Sequence, residues 1–280
     1  MPQKCGFAYL CNWVILTTSI IDVTGISLDK PTLTLVVGKD YTLIATITPN
    51  NATKKTVTWI SDDDTKATVT NGKVIAVSVG VATITAKAGN QTATCIVTVE
   101  NDPLTYDEGV IINGVKWATR NVATLGTFAA NTESTGMFYQ WNRKKAWSVA
   151  SITGWDTTSP GGDTWEKTND PSPIGWRVPT LEEFQKLLDT EKVKYEWTSE
   201  NYVNGGRFTD IATGNSLFLP AVGNLNPFDG KFQAGSLAGY YWSSTTEWSS
   251  AAYGFFFHSD GIRLQGLFRT YGFGIRSVAE

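Results

Sequence analysis

Few side chains in this 280-residue sequence could carry out catalysis, and His258 is its single histidine. A histidine that acts as a general base needs a nucleophile beside it and a third group that orients its ring. The sequence contains no Gly-x-Ser-x-Gly motif, and Ser243 and Ser244 instead follow Trp242 in an aromatic stretch. We therefore predict no catalytic residue and no enzymatic activity.

Two groups of acidic residues could also do chemistry. Asp62, Asp63 and Asp64 offer the clustered oxygen ligands that calcium prefers, but their position between predicted strands favours a solvated loop. Glu182 and Glu183 are consecutive in a predicted helix, so their side chains diverge by about 100° and cannot act together on one substrate atom. We predict neither a metal site nor a cofactor.

The composition favours recognition over nucleic-acid binding. Lys and Arg total 23 against 26 for Asp and Glu, which leaves a net charge of −3. No basic stripe is present to follow a phosphate backbone, so we expect no nucleic acid among the partners. Aromatic residues make up 12% of the chain and include 11 Trp, a content suited to a contact surface.

The chain changes composition near residue 102. Residues 22–100 contain 17 Thr, 11 Val and 7 Ile, and side chains branched at Cβ favour strands. All seven Arg and nine of the 11 Trp lie from residue 103 onward. Asn101-Asp102-Pro103 is polar and ends in proline, as linkers often do. We predict one domain over residues 22–100, a linker over 101–109 and a second domain over 110–280.

Residues 22–100 show the pattern of an all-β, antiparallel sandwich, which consists of short β-rich runs separated by turn signals. Six such runs begin at Thr32, Tyr41, Thr56, Lys73, Val81 and Ala93. Asn71-Gly72 supplies the positive φ angles that a two-residue hairpin needs.

This stretch resembles the bacterial immunoglobulin-like domain, group 2. The resemblance rests on Val23-Thr-Gly-Ile-Ser-Leu, Val37-Gly-Lys, Trp59-Ile-Ser-Asp, Ala67-Thr-Val, Gly72-Lys-Val and Gly80-Val-Ala-Thr-Ile-Thr-Ala. Domains of this family mostly act as spacers in surface and phage proteins. The resemblance therefore implies an immunoglobulin-like spacer.

Residues 1–21 form an apolar N-terminal segment that fits a signal peptide poorly. Asn12 and Trp13 interrupt its apolar run, and no small-x-small cleavage site ends it. The run is also shorter than the ~20 residues of a membrane span, so we expect no membrane span. We expect the segment to be retained and to anchor the chain to an assembly partner, such as a virion or pilus subunit. A first strand of the sandwich and a targeting relic are the alternatives.

One helix is clear in the second half. Thr180 precedes Leu181-Glu-Glu-Phe-Gln-Lys-Leu-Leu, and Glu183 stands three residues after Thr180, which predicts a capping box. The apolar residues of this segment recur at helical spacing and would form one buried face.

A series of motifs in the second half carries a further resemblance. The motifs are Gly114-Val-Lys-Trp-Ala-Thr-Arg-Asn-Val, Gly136-Met-Phe-Tyr-Gln-Trp-Asn, Gly175-Trp-Arg-Val-Pro-Thr, Leu217-Phe-Leu-Pro-Ala, Gly239-Tyr-Tyr-Trp-Ser-Ser and Tyr271-Gly-Phe-Gly-Ile-Arg-Ser-Val. In this order they resemble the Fibrobacter succinogenes major paralogous domain. The resemblance implies an α+β, C-type-lectin-like domain whose last strands and loops face a ligand. The variable proteins of diversity-generating retroelements have a similar fold.

Alternation along Tyr253-Gly-Phe-Phe-Phe-His predicts which side chains face that ligand. Phe255 and Phe257 would point with Tyr253 into the core, and Phe256 and His258 to the opposite face. The residues that follow mix aromatic, charged and small polar types, as binding surfaces do. We predict as ligand-binding residues Trp248, Phe256, His258, Asp260, Arg263, Gln265, Leu267, Phe268 and Tyr271. The alternative assigns Phe256, Leu267 and Phe268 to the core.

Together these patterns predict a non-enzymatic attachment or receptor-binding protein on an extracellular surface. Its partner would be a cell-surface glycan or protein. Calcium-dependent C-type lectins use Glu-Pro-Asn or Gln-Pro-Asp with Trp-Asn-Asp, and the sequence has none of these tripeptides, so we expect calcium-independent binding. The poor signal peptide favours a phage virion over a bacterial cell surface. The alternative is a structural or decoration subunit of a virion or pilus with no ligand of its own, and self-association as a homo-oligomer is compatible with both.

Overall fold

The structure, a computed structural model, describes residues 19–150 and 152–280. The chain divides into two compact units, residues 1–101 and residues 102–280. Most of the predicted anchoring segment, residues 1–18, lies outside the described residues. In the part of the chain that is described, no helix is both long and apolar enough to cross a membrane.

The first unit is built of strands. Over its described residues these are β1 (Gly25–Leu28), β2 (Thr32–Val36), β3 (Asp40–Thr42), β4 (Ala45–Thr48), β5 (Thr58–Ser61), β6 (Ala67–Thr70), β7 (Lys73–Ala76), β8 (Gly80–Ala88) and β9 (Gln91–Glu100). The strand orders are β2-β9-β8-β5, β3-β7-β6 and β1-β4. The pairing of β2 with β9 is parallel, which corrects the fully antiparallel arrangement that we expected. The other pairs of this unit are antiparallel.

Alternation of side chains builds the core of the first unit. Ala82, Ile84 and Ala86 of β8 are buried, because every second side chain of a strand points to the same face. Cys95 and Val97 of the neighbouring β9 join Ala82 and Ile84 in one cluster. Cys95 is a free, fully buried thiol, and desolvation raises its pKa.

The predicted hairpin at Asn71-Gly72 is confirmed. Asn71 and Gly72 have φ angles of 51° and 84°, and they connect β6 to β7 with Thr70 paired to Lys73. Positive φ at both central residues gives a turn whose twist matches that of the flanking strands.

The run that begins at Tyr41, predicted as one strand, forms two strands in different sheets. Between β3 and β4, Leu43 is only 3% exposed, whereas the next residue, Ile44, is 62% exposed. The Leu43 N–H donates a hydrogen bond to the Gly72 carbonyl, so the chain leaves one sheet there and enters the other. Because Leu43 and Ile44 are both apolar, the periodicity of the sequence does not show where the chain changes from one sheet to the other.

The second unit is also predominantly β. Its strands over the described residues are β10 (Val110–Ile112), β11 (Val115–Trp117), β12 (Phe138–Tyr139), β13 (Ala146–Trp147), β14 (Trp176–Arg177), β15 (Val193–Glu200), β16 (Val203–Asp210), β17 (Ser216–Pro220), β18 (Asn224–Leu225), β19 (Phe232–Gln233), β20 (Ala238–Trp248), β21 (Ala251–His258), β22 (Gly261–Phe268) and β23 (Val278–Ala279). One short α-helix, α1 (Leu181–Leu187), and one 3-10 turn, Lys167–Asn169, accompany them. The second unit is therefore almost entirely β among its described residues, which corrects the α+β prediction. The physical reason is that only one segment combines helical spacing of apolar residues with a capping residue.

The capping box of α1 is confirmed. Thr180 Oγ1 accepts a hydrogen bond from the Glu183 N–H, and Glu183 Oε2 accepts one from the Thr180 N–H at 2.8 Å. Phe184 and Leu187 form the buried face of the helix. Glu183 is also bound by Arg177, so its carboxylate stabilises the helix start.

The strands β20, β21 and β22 form an antiparallel meander that covers the core of the second unit. Phe255 and Phe257 are fully buried on its inner face, as the alternation predicted, and Tyr253 is half-buried. The Phe255 ring stacks on Phe184 of α1 with a centroid distance of 4.6 Å. Elsewhere in the unit, the sheet β10-β11-β23-β14 joins its first strands to its last.

Candidate ligand-binding site

The meander has a second face, opposite the core, that carries several predicted ligand-binding residues. Tyr240 and Arg263 flank Phe256 on it, because both are paired with Phe256 across neighbouring strands. Gln265 and Leu267 follow Arg263 at intervals of two residues and therefore lie on the same face. We call this surface the outer face.

The outer face borders a cavity of about 210 Å³. Five predicted residues line this cavity: Phe256, Arg263, Gln265, Leu267 and Tyr271. Four more residues complete the lining: Asn224, Gln233, Tyr240 and Phe273. We call this space the outer-face cavity.

A row of packed aromatic rings forms the base of the outer-face cavity. Tyr240 lies 4.6 Å from Phe256 and 5.2 Å from Phe273, measured between ring centroids. Tyr271 lies 5.3 Å from Phe273. These separations fall in the favourable range of about 4.5–7 Å for aromatic pairs, so the rings of the base are closely packed.

Phe256 belongs more to this base than to a freely exposed contact surface. Its side chain is only 7% exposed, and the Cζ atom of Arg263 lies 4.5 Å from its ring centroid. The observed burial of Phe256 is therefore close to that expected from the alternative, which assigned this residue to the core. Its contribution at the cavity is to hold the guanidinium of Arg263 in place.

His258 and Asp260 lie at the turn between β21 and β22 and do not line the outer-face cavity. The Asp260 N–H donates a hydrogen bond to His258 Nδ1 at 3.0 Å, which orients the ring at the turn. The His258 ring extends the aromatic row, with a centroid 5.1 Å from that of Phe256. Both residues thus border the predicted face at one end.

Trp248 and Phe268 lie at the other end of the meander, where both are paired with Ala251. They are 58% and 51% exposed, and the Phe268 ring lies 6.4 Å from Phe228, centroid to centroid. Neither residue lines the outer-face cavity. The predicted set therefore divides into a cavity group, a turn group and this exposed aromatic pair.

Arg263 is the single charged residue among those that line the outer-face cavity. Tyr240 beside it has a pKa above the ordinary value because it is partly buried, and the positive charge of Arg263 opposes that shift. The Tyr240 phenol is consequently protonated at neutral pH and can donate a hydrogen bond. The cavity combines an aromatic base with one cation and several hydrogen-bonding groups.

Sequence reasoning missed four lining residues. Tyr240 and Phe273 belong to the quoted aromatic motifs, and extending the alternation argument to β20 would have identified Tyr240. Asn224 and Gln233 come from β18 and β19, which contain two residues each. Strands of two residues show no periodicity, so no sequence signal marks them.

The acidic run at Asp62 to Asp64 forms a loop whose carboxylates bind the chain itself. Asp62 Oδ1 accepts a hydrogen bond from the Thr83 N–H, and Asp63 Oδ1 accepts one from the Thr65 N–H. Over residues 19–150 and 152–280, no group of three or more His, Cys, Asp or Glu side chains is placed to hold a metal ion.

Comparison with protein families identifies the first unit. Residues 22–99 match the family described as bacterial Ig-like domain (group 2), as the sequence motifs predicted. Among solved structures, S-layer protein SbsC is similar over 66% of this chain and 21% of its own, with 16% identity and a TM-score of 0.26.

Curated relatives match segments of 88 or 89 residues of this chain. An "Ig-like virion protein" of Serratia phage KSP90 is 46% identical over 88 residues, which cover 30% of this chain and 34% of that protein. A "Minor capsid protein" of Enterobacteria phage T3 is 40% identical over 89 residues, or 32% of this chain and 20% of that protein. An "Alpha-L-arabinofuranosidase" of Bifidobacterium longum is 44% identical over 88 residues, 30% of this chain and 8% of that enzyme. The chain thus matches only a minor part of each relative, and residues 22–99 form a bacterial immunoglobulin-like domain of group 2.

Proposed function

We propose that this chain is a non-enzymatic receptor-binding protein of a phage virion surface. In this proposal residues 110–280 form a C-type-lectin-like recognition domain, and the immunoglobulin-like domain is the spacer that carries it. The observation that supports recognition most directly is the outer-face cavity, which brings five of the predicted ligand-binding residues together over an aromatic base. Binding at this cavity requires no calcium, since no acidic residue lines it.

The phage relatives support the virion location. Two of them are described as a virion protein and a minor capsid protein, and each is at least 40% identical to this chain over 88 or 89 residues. The match to an arabinofuranosidase covers only 8% of that enzyme, so it does not favour catalysis here.

The lining of the outer-face cavity also favours binding over reaction. A glycosidase needs two carboxyl groups across its substrate, and the nine lining residues include none. His258 lies outside the lining, and its Nδ1 atom already accepts a main-chain hydrogen bond. The aromatic, amide and arginine side chains that remain are those that anchor ligands.

The test uses the fluorescently labelled full chain and intact cells of a panel of bacterial strains, with and without EDTA. We expect EDTA-insensitive binding to at least one strain, and at least a tenfold loss of affinity, about 1.4 kcal/mol, in the triple variant Arg263→Ala, Gln265→Ala and Tyr271→Ala. Tyr202→Ala is the matched control, because Tyr202 is fully exposed and does not line the cavity. Circular dichroism verifies that each variant is folded.

The second candidate is a structural or decoration subunit of a virion, which the similarity to a minor capsid protein favours. It predicts that the full chain binds no strain of the panel, although it is present in purified particles. It also predicts that the triple variant assembles and infects like the wild type. These outcomes would contradict the receptor-binding proposal.

A further inference from the structure

Among the residues that the structure describes, Arg263 differs from the other arginines in having no polar partner. Four arginines form ion pairs with carboxylates: Arg120, Arg143, Arg177 and Arg207. Arg269 and Arg276 are buried and donate hydrogen bonds to main-chain carbonyl groups. Within the described part of the chain, Arg263 has neither an ion pair nor a hydrogen bond, and its guanidinium lies over the Phe256 ring.

This contact holds an uncompensated cation at the outer-face cavity. Phe256 is immobilised between Tyr240 and the guanidinium, with distances of 4.6 Å to the Tyr240 centroid and 4.5 Å to Arg263 Cζ. A guanidinium stacked on a ring keeps its N–H groups free in its own plane, where they can donate two parallel hydrogen bonds to a carboxylate. Arg263 thus has N–H groups available for an anionic group that none of the lining residues supplies.

Asn224 provides an independent observation at the same cavity. Asn224 is only 4% exposed, and its Oδ1 atom is buried with no hydrogen-bond partner among the described residues. The pairing of β18 with β19 fixes its main chain opposite Gln233. Buried polar atoms are nearly always hydrogen-bonded, and Asn224 is one of the residues that line the cavity, so a ligand hydroxyl that reaches this oxygen would supply the donor it lacks.

The Arg263 guanidinium and the Asn224 side-chain oxygen favour two different chemical groups on the same ligand. Arg263 is an exposed cation that a negatively charged group would pair with, and Asn224 Oδ1 lacks a hydrogen-bond donor. The volume of about 210 Å³ is below the roughly 300–1,000 Å³ of sites for drug-sized molecules, so it suits a single ring. The aromatic base offers that ring an apolar surface to pack against.

We propose that the outer-face cavity binds a sugar ring that carries a carboxylate, as a terminal or side-branch residue of a bacterial surface glycan. The carboxylate pairs with Arg263, and a ring hydroxyl donates a hydrogen bond to Asn224 Oδ1. A neutral sugar leaves Arg263 without an anion. An acidic amino-acid side chain has no donor for Asn224. This inference rests on the proposed receptor-binding function and names the chemistry of its ligand.

The experiment measures binding of methyl glycosides to the full chain by NMR titration. The acidic probes are the methyl glycosides of glucuronic acid, galacturonic acid and N-acetylneuraminic acid, and the neutral probes are methyl glucoside and methyl galactoside. We expect at least one acidic probe to bind at least tenfold more tightly than both neutral probes, with shifts confined to residues that line the cavity. We also expect its affinity to fall as the salt concentration rises, because the site is open to solvent.

Two variants test the assigned contacts. Arg263→Gln should weaken the acidic probe about tenfold or more and leave the neutral probes unchanged. Asn224→Leu should weaken it similarly without loss of folding, because the side-chain oxygen of Asn224 has no protein hydrogen bond to lose. Arg207→Gln is the control, since Arg207 pairs with Glu200 outside the cavity, and it should leave binding unchanged.

Equal affinity for acidic and neutral sugars would overturn the inference, as would binding of a glutamate-rich peptide in the absence of any sugar binding. If the chain binds cells and Arg263→Gln retains that binding, the receptor-binding proposal stands and the carboxylate assignment fails. If the chain binds neither cells nor any glycoside, both proposals fail.

Discussion

At the scale of single residues, several local hydrogen bonds stabilise a buried carboxylate, that of Asp107, in the second unit. Asp107 has a fully buried side chain, and it accepts hydrogen bonds from the N–H groups of Gly109 and Thr119 and from the Thr119 hydroxyl. The Arg120 guanidinium forms an ion pair with it at 3.1 Å. Burial alone would raise the pKa of Asp107, but these hydrogen bonds outweigh it and lower the pKa below its ordinary value.

We expect Asp107→Ala to destabilise the second unit by about 3–5 kcal/mol, because it leaves Arg120 and two N–H groups without their shared partner. Asp229→Ala is the matched control, since Asp229 pairs with Lys231 at the surface, and exposed pairs contribute about 1 kcal/mol or less. Urea unfolding of the full chain, followed by tryptophan fluorescence, measures both free energies. Equal losses in the two variants would contradict this account of Asp107.

At the scale of elements, the turns of the first unit depend on glycine in a position-specific way. Gly72 has a φ angle of +84°, and a Cβ atom there would lie 2.7 Å from the Leu43 carbonyl oxygen and 3.1 Å from the Trp59 ring. Gly38 has a similar φ angle of +81°, but a Cβ atom there would meet nothing within 4 Å. The two glycines therefore separate the effect of backbone conformation from that of close packing.

We expect Gly38→Ala to lower the free energy of unfolding of the first unit by about 1–2 kcal/mol, the cost of a left-handed conformation for a residue with a Cβ atom. Gly72→Ala should cost more, because the Leu43 carbonyl and the Trp59 ring must also move. NMR-detected urea unfolding of the full chain, read from the amide signals of β6 and β7, measures both changes. A smaller loss for Gly72→Ala than for Gly38→Ala would contradict the packing argument.

At the scale of the whole molecule, carboxylates make the folded state sensitive to acid. Carboxyl groups with a pKa below the ordinary value are Asp29, Asp63, Asp107, Glu183, Asp210 and Asp229. For Asp29 the largest cause is the N–H of Ile44, and for Asp210 it is the N–H of Asn113. Each group binds its proton more weakly in the folded chain than in the unfolded chain.

Such groups stabilise the fold above their unfolded pKa values, about 4, and this contribution is lost as the pH falls through the lower folded values. We therefore expect the Tm of the full chain to be nearly constant from pH 7 to pH 5 and to fall steadily below about pH 4. Circular dichroism melts at a series of pH values and constant ionic strength measure this dependence. An unchanged Tm at pH 3 would show that these hydrogen bonds do not distinguish the folded from the unfolded state.

Local sequence signals by themselves determined several elements of this protein. The capping box at Thr180 and the turn at Asn71-Gly72 were predictable because each depends on residues within one turn of chain. The motifs of residues 22–99 identified the immunoglobulin-like domain. Alternation also assigned Phe255 and Phe257 to the core, because a strand presents every second side chain to the same face.

Only the tertiary structure decided the outer-face cavity and the parallel edge of the first unit. The parallel pairing joins Thr32 to Ile96, and the cavity joins Asn224 to Arg263, so each depends on contacts between distant parts of the chain. The burial of Phe256 likewise depends on rings from Tyr240 and on the guanidinium of Arg263. Periodicity in the sequence predicts which face of a strand a side chain occupies. Which residues pack against that face depends on segments that are distant in the sequence, so only the tertiary structure shows them.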